Sequence, residues 1–255
     1  MRTRWVGLAG LVVLLVAAAG ATVFTVLTNS GSSSVSSALP SIPARITGAN
    51  GGPVENVAPD PSSSRRVSCT YTTAGSGAGA TRIADKPAPV ATESGRVRAV
   101  IRTNLGDISA DLLADRAPCT VHSFANLVTE DYYTDTVCHR ITTAGLYVLQ
   151  CGDPSGTGTG SPGYEYAEEN LPPVGASPAY PMGTLAMANA GPGTTGAQFF
   201  VVYQDSDIPP AYTVLGIVTS GIDIVRRVAA NGTADGSADG RPKVPVTIND
   251  ITLGR

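Results

Sequence analysis

The sequence predicts a compact domain dominated by β-strands, either a closed antiparallel barrel or a sandwich, together with two helices. Three observations predict it. Short apolar alternations recur from residue 97 onward, only two segments carry a helical apolar stripe, and 29 glycines and 19 prolines interrupt the chain too often for a helical bundle. Alternation alone leaves both the barrel and the sandwich open.

The first element is a predicted hairpin. Val97, Ala99 and Ile101 alternate with arginines, and the alternation resumes at Ile108 after the turn residues 104–106. A period of two places the apolar side chains on one buried face of the two strands.

Two helices and a last strand complete the predicted domain. Pro118 opens the first helix, at a position where a missing N–H costs nothing. The second is predicted to begin at Ser220, with Asp223 completing a capping box. The alternation of the last strand shifts phase at Asn249-Asp250, which predicts a β-bulge there.

The N-terminal segment predicts a membrane anchor. Arg2 and Arg4 precede a charge-free run from Trp5 to Leu27, long enough to cross about 30 Å of hydrocarbon. Flanking positive charge favours a cytoplasmic N-terminus. We therefore predict a transmembrane helix over residues 1–28, crossing the cell membrane once, with the remaining chain outside the cytoplasm.

A cleaved signal peptide is the alternative for residues 1–28. Ala17-Ala18-Ala19 and Ala19-Gly20-Ala21 both fit a small-residue cleavage site. The domain would then be secreted, so both interpretations place it outside the cytoplasm.

The region between the anchor and the domain is predicted to be extended. Residues 29–94 comprise a flexible Ser/Gly/Pro-rich linker and then, from about Val67, a Cys-bearing arm that Cys69 could join to the domain. The folded domain is assigned to residues 95–255.

The cysteine count favours disulfides. The chain has an even number of cysteines, four, which suits an exported protein. They are Cys69, Cys119, Cys138 and Cys151. Three full pairings and buried free thiols all remain open. A zinc site is disfavoured because the chain lacks a C-x-x-C pair and has only His122 and His139, so no metal or cofactor is predicted.

Charge argues against a nucleic-acid partner. The net charge is −3, only 15% of residues are charged, and the charges form no long basic run.

Three segments carry the functional signal. They are Cys138-His-Arg140-Ile141 continuing to Gln150-Cys-Gly-Asp153, then Met187-Ala-Asn-Ala-Gly-Pro192, then Gln198-Phe-Phe-Val201. In them the sequence resembles the cyclophilins, whose signature reads roughly F-H-R-I-x-P-G-F-M-x-Q-G-G-D and then M-A-N-A-G-P-x-T-x-G-S-Q-F-F. The resemblance covers about Val97 to Leu253. It implies a closed eight-stranded antiparallel barrel with two capping helices, and peptidyl-prolyl cis-trans isomerase activity.

The reaction suits these residues. An X–Pro bond isomerises over a barrier of about 18–20 kcal/mol because its amide is partly double-bonded. A guanidinium can hydrogen-bond near the prolyl nitrogen, whose lone pair localises only as the bond twists, so it stabilises the twisted state selectively. By the resemblance Arg140 has this role and Gln198 assists it. We expect Arg140 to be the only charged group in an otherwise apolar pocket.

The resemblance also implies a substrate-binding set that lines the proline slot, orients Arg140 and forms a ledge for an extended peptide. It consists of Tyr147, Val148, Gln150, Ala188, Asn189, Ala190, Phe200, Ile208 and Tyr212. The expected partners are proline-containing segments of exported or unfolded proteins, bound by a monomer.

Three departures from the family pattern stand out. The segment between Arg140 and Gln150 is two residues longer than usual. Tyr212 stands where many members have His, and Asp207 stands where drug-sensitive members have Trp, which predicts weak cyclosporin binding.

Two further functional classes compete with an active isomerase. One is a module that grips proline segments with little turnover, which the longer turn before Tyr147 weakly favours. The other is an exported metal or redox protein that uses the four cysteines.

Overall fold

The computed structural model describes residues 66–74 and 82–254. Within them the fold is dominated by short strands, with two helices. The predicted anchor over residues 1–28 and most of the predicted linker lie outside the described residues. Among the described helices none is long and apolar enough to cross a membrane.

The elements follow in chain order: β1 (Val67–Ser68), β2 (Thr72–Thr73), β3 (Val90–Ala91), β4 (Arg96–Thr103), β5 (Gly106–Leu113), α1 (Pro118–Thr129), β6 (Thr136–Val137), β7 (Arg140–Thr142), β8 (Val148–Cys151), β9 (Tyr164–Glu165), β10 (Thr184–Met187), β11 (Phe199–Val202), β12 (Val214–Ser220), α2 (Ile222–Ala230), β13 (Asp239–Gly240) and β14 (Thr247–Gly254).

One curled antiparallel sheet organises the described domain. Its ten strands are ordered β13-β7-β8-β11-β10-β12-β5-β4-β14-β6, and β1-β3 and β2-β9 form two small additional pairs. The expected count was eight. The difference arises because residues 136–142 are divided into β6 and β7 at Cys138-His139, and because the two-residue β13 is added beside β7.

The predicted hairpin, first helix and final bulge are confirmed. β4 pairs with β5 from Arg96↔Leu113 to Thr103↔Gly106. The first helix begins at Pro118, and the register of β14 shifts between Ile248 and Asp250.

The prediction that the second helix begins at Ser220 with a capping box is wrong. The helix begins at Ile222, and its N-cap is Gly221 in the left-handed conformation, so no side chain caps it. A Cβ at Gly221 would lie 2.3 Å from the Asp107 carbonyl oxygen. Close packing of this corner on β5 therefore demands glycine, and the glycine rather than Ser220 sets the helix start.

Two disulfides use all four cysteines of the protein. The prediction of disulfides is confirmed, and the structure adds the pairing, which the sequence left open. The two bonds join Cys69 to Cys119 and Cys138 to Cys151. The first fastens the Cys-bearing arm to the start of α1, where the Tyr71 hydroxyl also donates to the Cys119 carbonyl at 2.7 Å.

The core lies inside the curled sheet. Buried aromatic rings join α1 to the sheet, because Phe124 packs against both Tyr133 and Phe199 at centroid distances of 5.1 and 5.8 Å. Strand alternation sends Ile141, Leu149 and Phe199 into this core and leaves their neighbours for the opposite face.

Candidate active site

A row of side chains crosses four neighbouring strands on the face opposite the core. Arg140 is paired with Gln150, Gln150 with Phe200, and Phe200 with Ala186. Since each partner alternates with a core residue of its own strand, all four share one face. The register of β7, β8, β11 and β10 therefore brings together residues that lie far apart in the sequence.

Hydrogen bonds link the polar members of this row. Arg140 Nη1 donates to Gln150 Oε1 at 3.0 Å, and Gln150 Nε2 donates to Gln198 Oε1 at 2.9 Å. Gln198 Nε2 in turn lies 3.0 Å from the carbonyl oxygens of both Gly158 and Gly160. This series of contacts fixes the orientation of both side-chain amides: Gln198 holds Gln150, and Gln150 holds Arg140.

The expectation that Arg140 is the only charged group at the site is wrong. The Asp239 carboxylate accepts from Arg140 Nε and Nη2, both at 2.7 Å. This hydrogen-bonded partner holds the pKa of Asp239 below its usual range and raises the pKa of Arg140. Nothing in the sequence connects two residues 99 positions apart, and only the pairing of β13 with β7 brings them together.

The loop 153–160 holds the Gln198 side chain through its backbone carbonyls. The side chain of Asp153 is buried, and its oxygens accept from the Ser155 hydroxyl and from the backbone amides of Gly158 and Gly160. Burial acts to raise the pKa of Asp153, but these hydrogen bonds outweigh it and hold the pKa below its usual range. Asp153 ends the first signature segment, but the sequence analysis predicted no role for it.

His139 lies beneath the same loop. It is 7% exposed, and neither ring nitrogen has a hydrogen-bond partner among the described residues. Burial lowers its pKa. An enclosed imidazole without hydrogen-bond partners among the described residues fits a packing role.

An apolar slot adjoins the polar row. Its buried members cluster separately from the main core, and partly buried side chains pack around them. The buried set is Val148, Ala179, Tyr180, Ala186, Phe200 and Val202, and the surrounding set is Leu146, Ala188, Ile208, Tyr212 and Val214. Of the predicted slot lining, the structure thus brings together Val148, Phe200 and Ile208, with Ala188 of the ledge and Tyr212 of the rim beside them.

Tyr147 is the predicted lining residue that the structure places elsewhere. Its ring packs edge-on against Tyr203 at a centroid distance of 6.0 Å, beside the main core. Leu146 packs beside the slot instead. Both residues precede β8, which begins at Val148, and Leu146 N–H donates to Ala144 O in a tight turn, so strand alternation does not predict which of them faces the slot.

The ledge, residues 188–190, leaves the backbone of one residue available to a bound peptide. The amides of Ala188 and Ala190 already donate to Gln198 O and Thr194 Oγ1. The Asn189 side chain donates to Ala211 O at 2.8 Å, while its main-chain N–H and C=O have no partner among the described residues. An extended peptide could pair with this backbone as an added strand does.

The rim differs from the family pattern at the two predicted positions. Tyr212 lies against Phe200, with centroids 5.6 Å apart, and its carbonyl accepts from the Tyr180 hydroxyl. Asp207 is exposed, and its carboxylate accepts from Ser177 Oγ at 3.0 Å.

A cavity of about 520 Å³ continues the site beyond Gln198 and the ledge. Gln150, Asn189 and Gln198 line it together with Thr159 and Glu165. Ala74 from the Cys-bearing arm also lines it, because β2 pairs with β9 there.

The chemistry available to this site is hydrogen-bond donation beside an apolar slot. The row presents a guanidinium and two amides, without a nucleophile activated by a neighbouring base. Among the described residues, no group of three His, Cys, Asp or Glu side chains is placed to hold a metal ion.

Comparison with known proteins identifies relatives of the domain. A family model described as "Cyclophilin type peptidyl-prolyl cis-trans isomerase/CLD" matches residues 98–253. A Mycobacterium tuberculosis protein named "Probable peptidyl-prolyl cis-trans isomerase B" is 45% identical over 174 residues, which cover 64% of this chain and 56% of that protein. The Mycobacterium leprae protein of the same name is 42% identical over 203 residues, covering 76% and 69%.

A solved structure shares the architecture. The crystal structure of a cyclophilin-type peptidyl-prolyl cis-trans isomerase from Cryptosporidium parvum is 27% identical, with a TM-score of 0.55, and the match covers 63% of this chain and 99% of that one. A second structure, described as the same protein in the presence of the dipeptide Ala-Pro, has a TM-score of 0.53.

Proposed function

Since this chain belongs to the family of cyclophilin-type peptidyl-prolyl cis-trans isomerases, we propose that it accelerates cis-trans isomerisation of X–Pro bonds in exported proteins. The observation that carries the proposal is the position of Arg140, in one row with Gln150 and Phe200 at the edge of an apolar slot.

The apolar slot binds the proline ring, and the polar row acts on the prolyl nitrogen. A proline ring is apolar and fits beside Val148, Phe200 and Ile208, which leaves the prolyl nitrogen near the polar row. Arg140 commits three N–H groups to Asp239 and Gln150, and a guanidinium has five. The remaining donors meet the prolyl nitrogen only when the bond twists and its lone pair localises, so they lower the barrier rather than only increasing affinity.

The backbone of Asn189 supports the second half of the proposal. Its N–H and C=O, which have no partner among the described residues, lie beside the slot and suit an extended peptide flanking the proline. Proline-containing segments of unfolded or exported proteins are therefore the proposed partners, and the proposed acting unit is a monomer.

Arg140→Ala tests this function directly. We expect isomerisation of a prolyl peptide by the purified full-length protein, followed in a protease-coupled assay, to fall at least tenfold. The physical reason is that the variant keeps the slot but loses the donor that acts on the twisted amide. Arg102→Ala is the matched control, since it removes another partly exposed arginine, on β4, that is paired with an aspartate, Asp250 on β14.

Two outcomes would contradict the proposal. Full activity in a folded Arg140→Ala protein would remove the proposed mechanism. A wild-type protein that binds prolyl peptides without accelerating their isomerisation would instead indicate the binding module.

We also propose that the domain acts outside the cytoplasm, tethered to the cell membrane by residues 1–28. The charge-free run from Trp5 to Leu27 supports the tether. The disulfides support an oxidising compartment, because reducing compartments disfavour such bonds.

The curled sheet is further proposed to be a closed barrel. Its support is the break at Cys138-His139, where the amide of Cys138 donates to Val246 O and that of His139 donates to Gln150 O. Residues 136–142 thus bond to the β14 side first and to β8 next, which is what a strand closing a barrel does.

A further inference from the structure

We infer that Asp239 is a positioning residue for Arg140: it holds the guanidinium in the plane and orientation from which the free N–H groups reach the substrate. The inference rests on the proposed function, since it assigns a partner to the arginine of that same site. It adds a residue on the distant loop 232–243 to the working parts of the site.

The contact is side-on and bidentate. Both Asp239 oxygens are engaged, Oδ1 by Arg140 Nε and Oδ2 by Arg140 Nη2, each at 2.7 Å. Gln150 Oε1 holds the third nitrogen, Nη1, at 3.0 Å. Contacts at three nitrogens of a planar group define its plane, whereas Gln150 alone would leave the group free to rotate about a single hydrogen bond.

The loop that carries Asp239 is built to deliver it. β13 pairs Asp239 with Thr142 and Gly240 with Ile141, directly beside Arg140. The amide of Thr143 donates to Ala238 O at 2.8 Å and extends this pairing. The carboxylate therefore stands on a strand whose register is set by the strand that carries Arg140.

A tight turn fixes the other end of the same loop. The amide of Ser237 donates to Asp235 Oδ1 at 3.0 Å, and Ser237 Oγ lies 2.7 Å from Asp235 Oδ1 and 2.8 Å from Asp239 O. The Thr233 hydroxyl also donates to Ser237 O. The backbone of Asp239 is thus held from both sides, and its side chain needs little further ordering to meet Arg140.

Exposure argues that the pair serves the site more than the stability of the fold. The Arg140 side chain is 36% exposed and that of Asp239 is 54% exposed. Water screens such a pair, and exposed ion pairs add little to folding. Bidentate geometry at such a place instead orders one long, flexible side chain beside the substrate slot.

A carboxylate also reduces the net positive charge at Arg140, which would weaken a purely electrostatic attraction. The prolyl nitrogen is uncharged, however, and a hydrogen bond to its lone pair depends steeply on direction. Orientation should therefore contribute more than net charge, and loss of Asp239 should lower turnover.

The test compares Asp239→Ala and Asp239→Asn in the full-length protein. We expect Asp239→Ala to lower kcat at least fivefold with KM changed less than twofold, because the slot and ledge are untouched. Asp239→Asn keeps one acceptor oxygen, so its decrease in log kcat relative to the wild type should be at most half of the decrease in Asp239→Ala. Asp223→Ala, which breaks the exposed pair with Arg227 on α2, is the matched control and should leave kcat unchanged.

Two further measurements separate positioning from a structural effect. The Arg140 Nε–H resonance in a nitrogen–proton NMR spectrum should be sharp and protected in the wild type and lost in Asp239→Ala, while the melting temperature stays within about 2 °C. In the Arg140→Ala background, Asp239→Ala should cause no additional loss of activity, since its effect passes through Arg140.

Unchanged or increased kcat in Asp239→Ala would overturn the inference. So would the finding that Asp239→Ala lowers activity by the same factor in the Arg140→Ala background as in the wild type. The proposed isomerase function would survive either result, because it is tested by wild-type turnover and by Arg140→Ala alone.

Discussion

Single residues decide how this site differs from its relatives, and Asp207 at the rim is the clearest case. The resemblance to cyclophilins implies a tryptophan at the matching position of members that bind cyclosporin, and an indole offers both an apolar face and an N–H donor. Asp207 offers neither, and its carboxylate is occupied by Ser177 Oγ at 3.0 Å. Desolvating that carboxylate against an apolar macrocycle is unfavourable.

We therefore expect cyclosporin to inhibit this protein much more weakly than the tryptophan-bearing members, and Asp207→Trp to gain at least tenfold in affinity. Titration of isomerase activity with the drug measures both. Activity without drug should change little, because Arg140 and the inner slot are not altered. Nanomolar inhibition of the unmodified protein would show that the rim is not what limits the drug. Tyr212, which packs on Phe200, would then require a different interpretation.

At the scale of elements, the loop 153–160 acts as the foundation of the polar row. Its carbonyls at Gly158 and Gly160 hold Gln198, and the loop itself is organised around the Asp153 carboxylate. A Cβ at Gly160 would lie 1.8 Å from Asp153 Oδ1, so the close approach requires glycine. The geometry of Gln198 thus depends on an element that does not touch the proline slot.

Asp153→Asn should destabilise the protein by about 2 kcal/mol at neutral pH, because an amide NH₂ would replace an oxygen that accepts several buried donors. The pKa of Asp153 is lowered in the folded protein, so its stabilisation is complete above the unfolded aspartate pKa of about 3.9 and is lost as the pH falls through the lower folded pKa.

Thermal unfolding of wild type and variant between pH 7 and pH 2 measures this dependence. The difference in stability should be constant from pH 7 to pH 5 and should shrink below about pH 4. Asp107→Asn, which makes the same substitution at an exposed aspartate on β5, is the matched control. A difference that persists unchanged at pH 2 would mean that Asp153 contributes through packing rather than through its charge.

At the scale of the whole molecule, the two disulfides and the N-terminal segment bear on where the domain works. The Cys69–Cys119 bond joins the arm to α1. Segment 82–93 contacts the same helix, since His122 Nδ1 lies 2.7 Å from Glu93 Oε2. The Cys-bearing arm that follows the proposed linker is thereby joined to the domain covalently as well as by packing.

We expect the mature protein to fractionate with membranes and to retain residues 1–28. The reason is the length of the charge-free run from Trp5 to Leu27, which continues beyond both candidate cleavage sites. N-terminal sequencing after membrane fractionation measures this. A mature protein that begins near Gly20 or Ala21 would contradict the anchor and indicate a secreted protein.

Local pattern in the sequence was enough for several of the elements. The hairpin at residues 96–113, the helix at Pro118 and the bulge in β14 follow from alternation and proline placement, which are properties of neighbouring residues. The signature segments contain Arg140, Gln150 and Gln198, which the structure joins by hydrogen bonds. The start of α2 was misassigned because Gly221 is required by a contact with β5, which no local pattern records.

Only the tertiary structure decided which partners these residues meet. Asp239 reaches Arg140 because β13 pairs with β7, and Cys138 meets Cys151 across strands, although the sequence allowed three full pairings. Tyr147 packs beside the main core and Leu146 beside the slot, in the turn that precedes β8. By itself the sequence determined a domain dominated by β-strands with two helices, the family, and Arg140 as the proposed active-site arginine. The ion pair that orients this arginine depends on contacts between residues 99 positions apart, and only the packing of the folded protein creates such contacts.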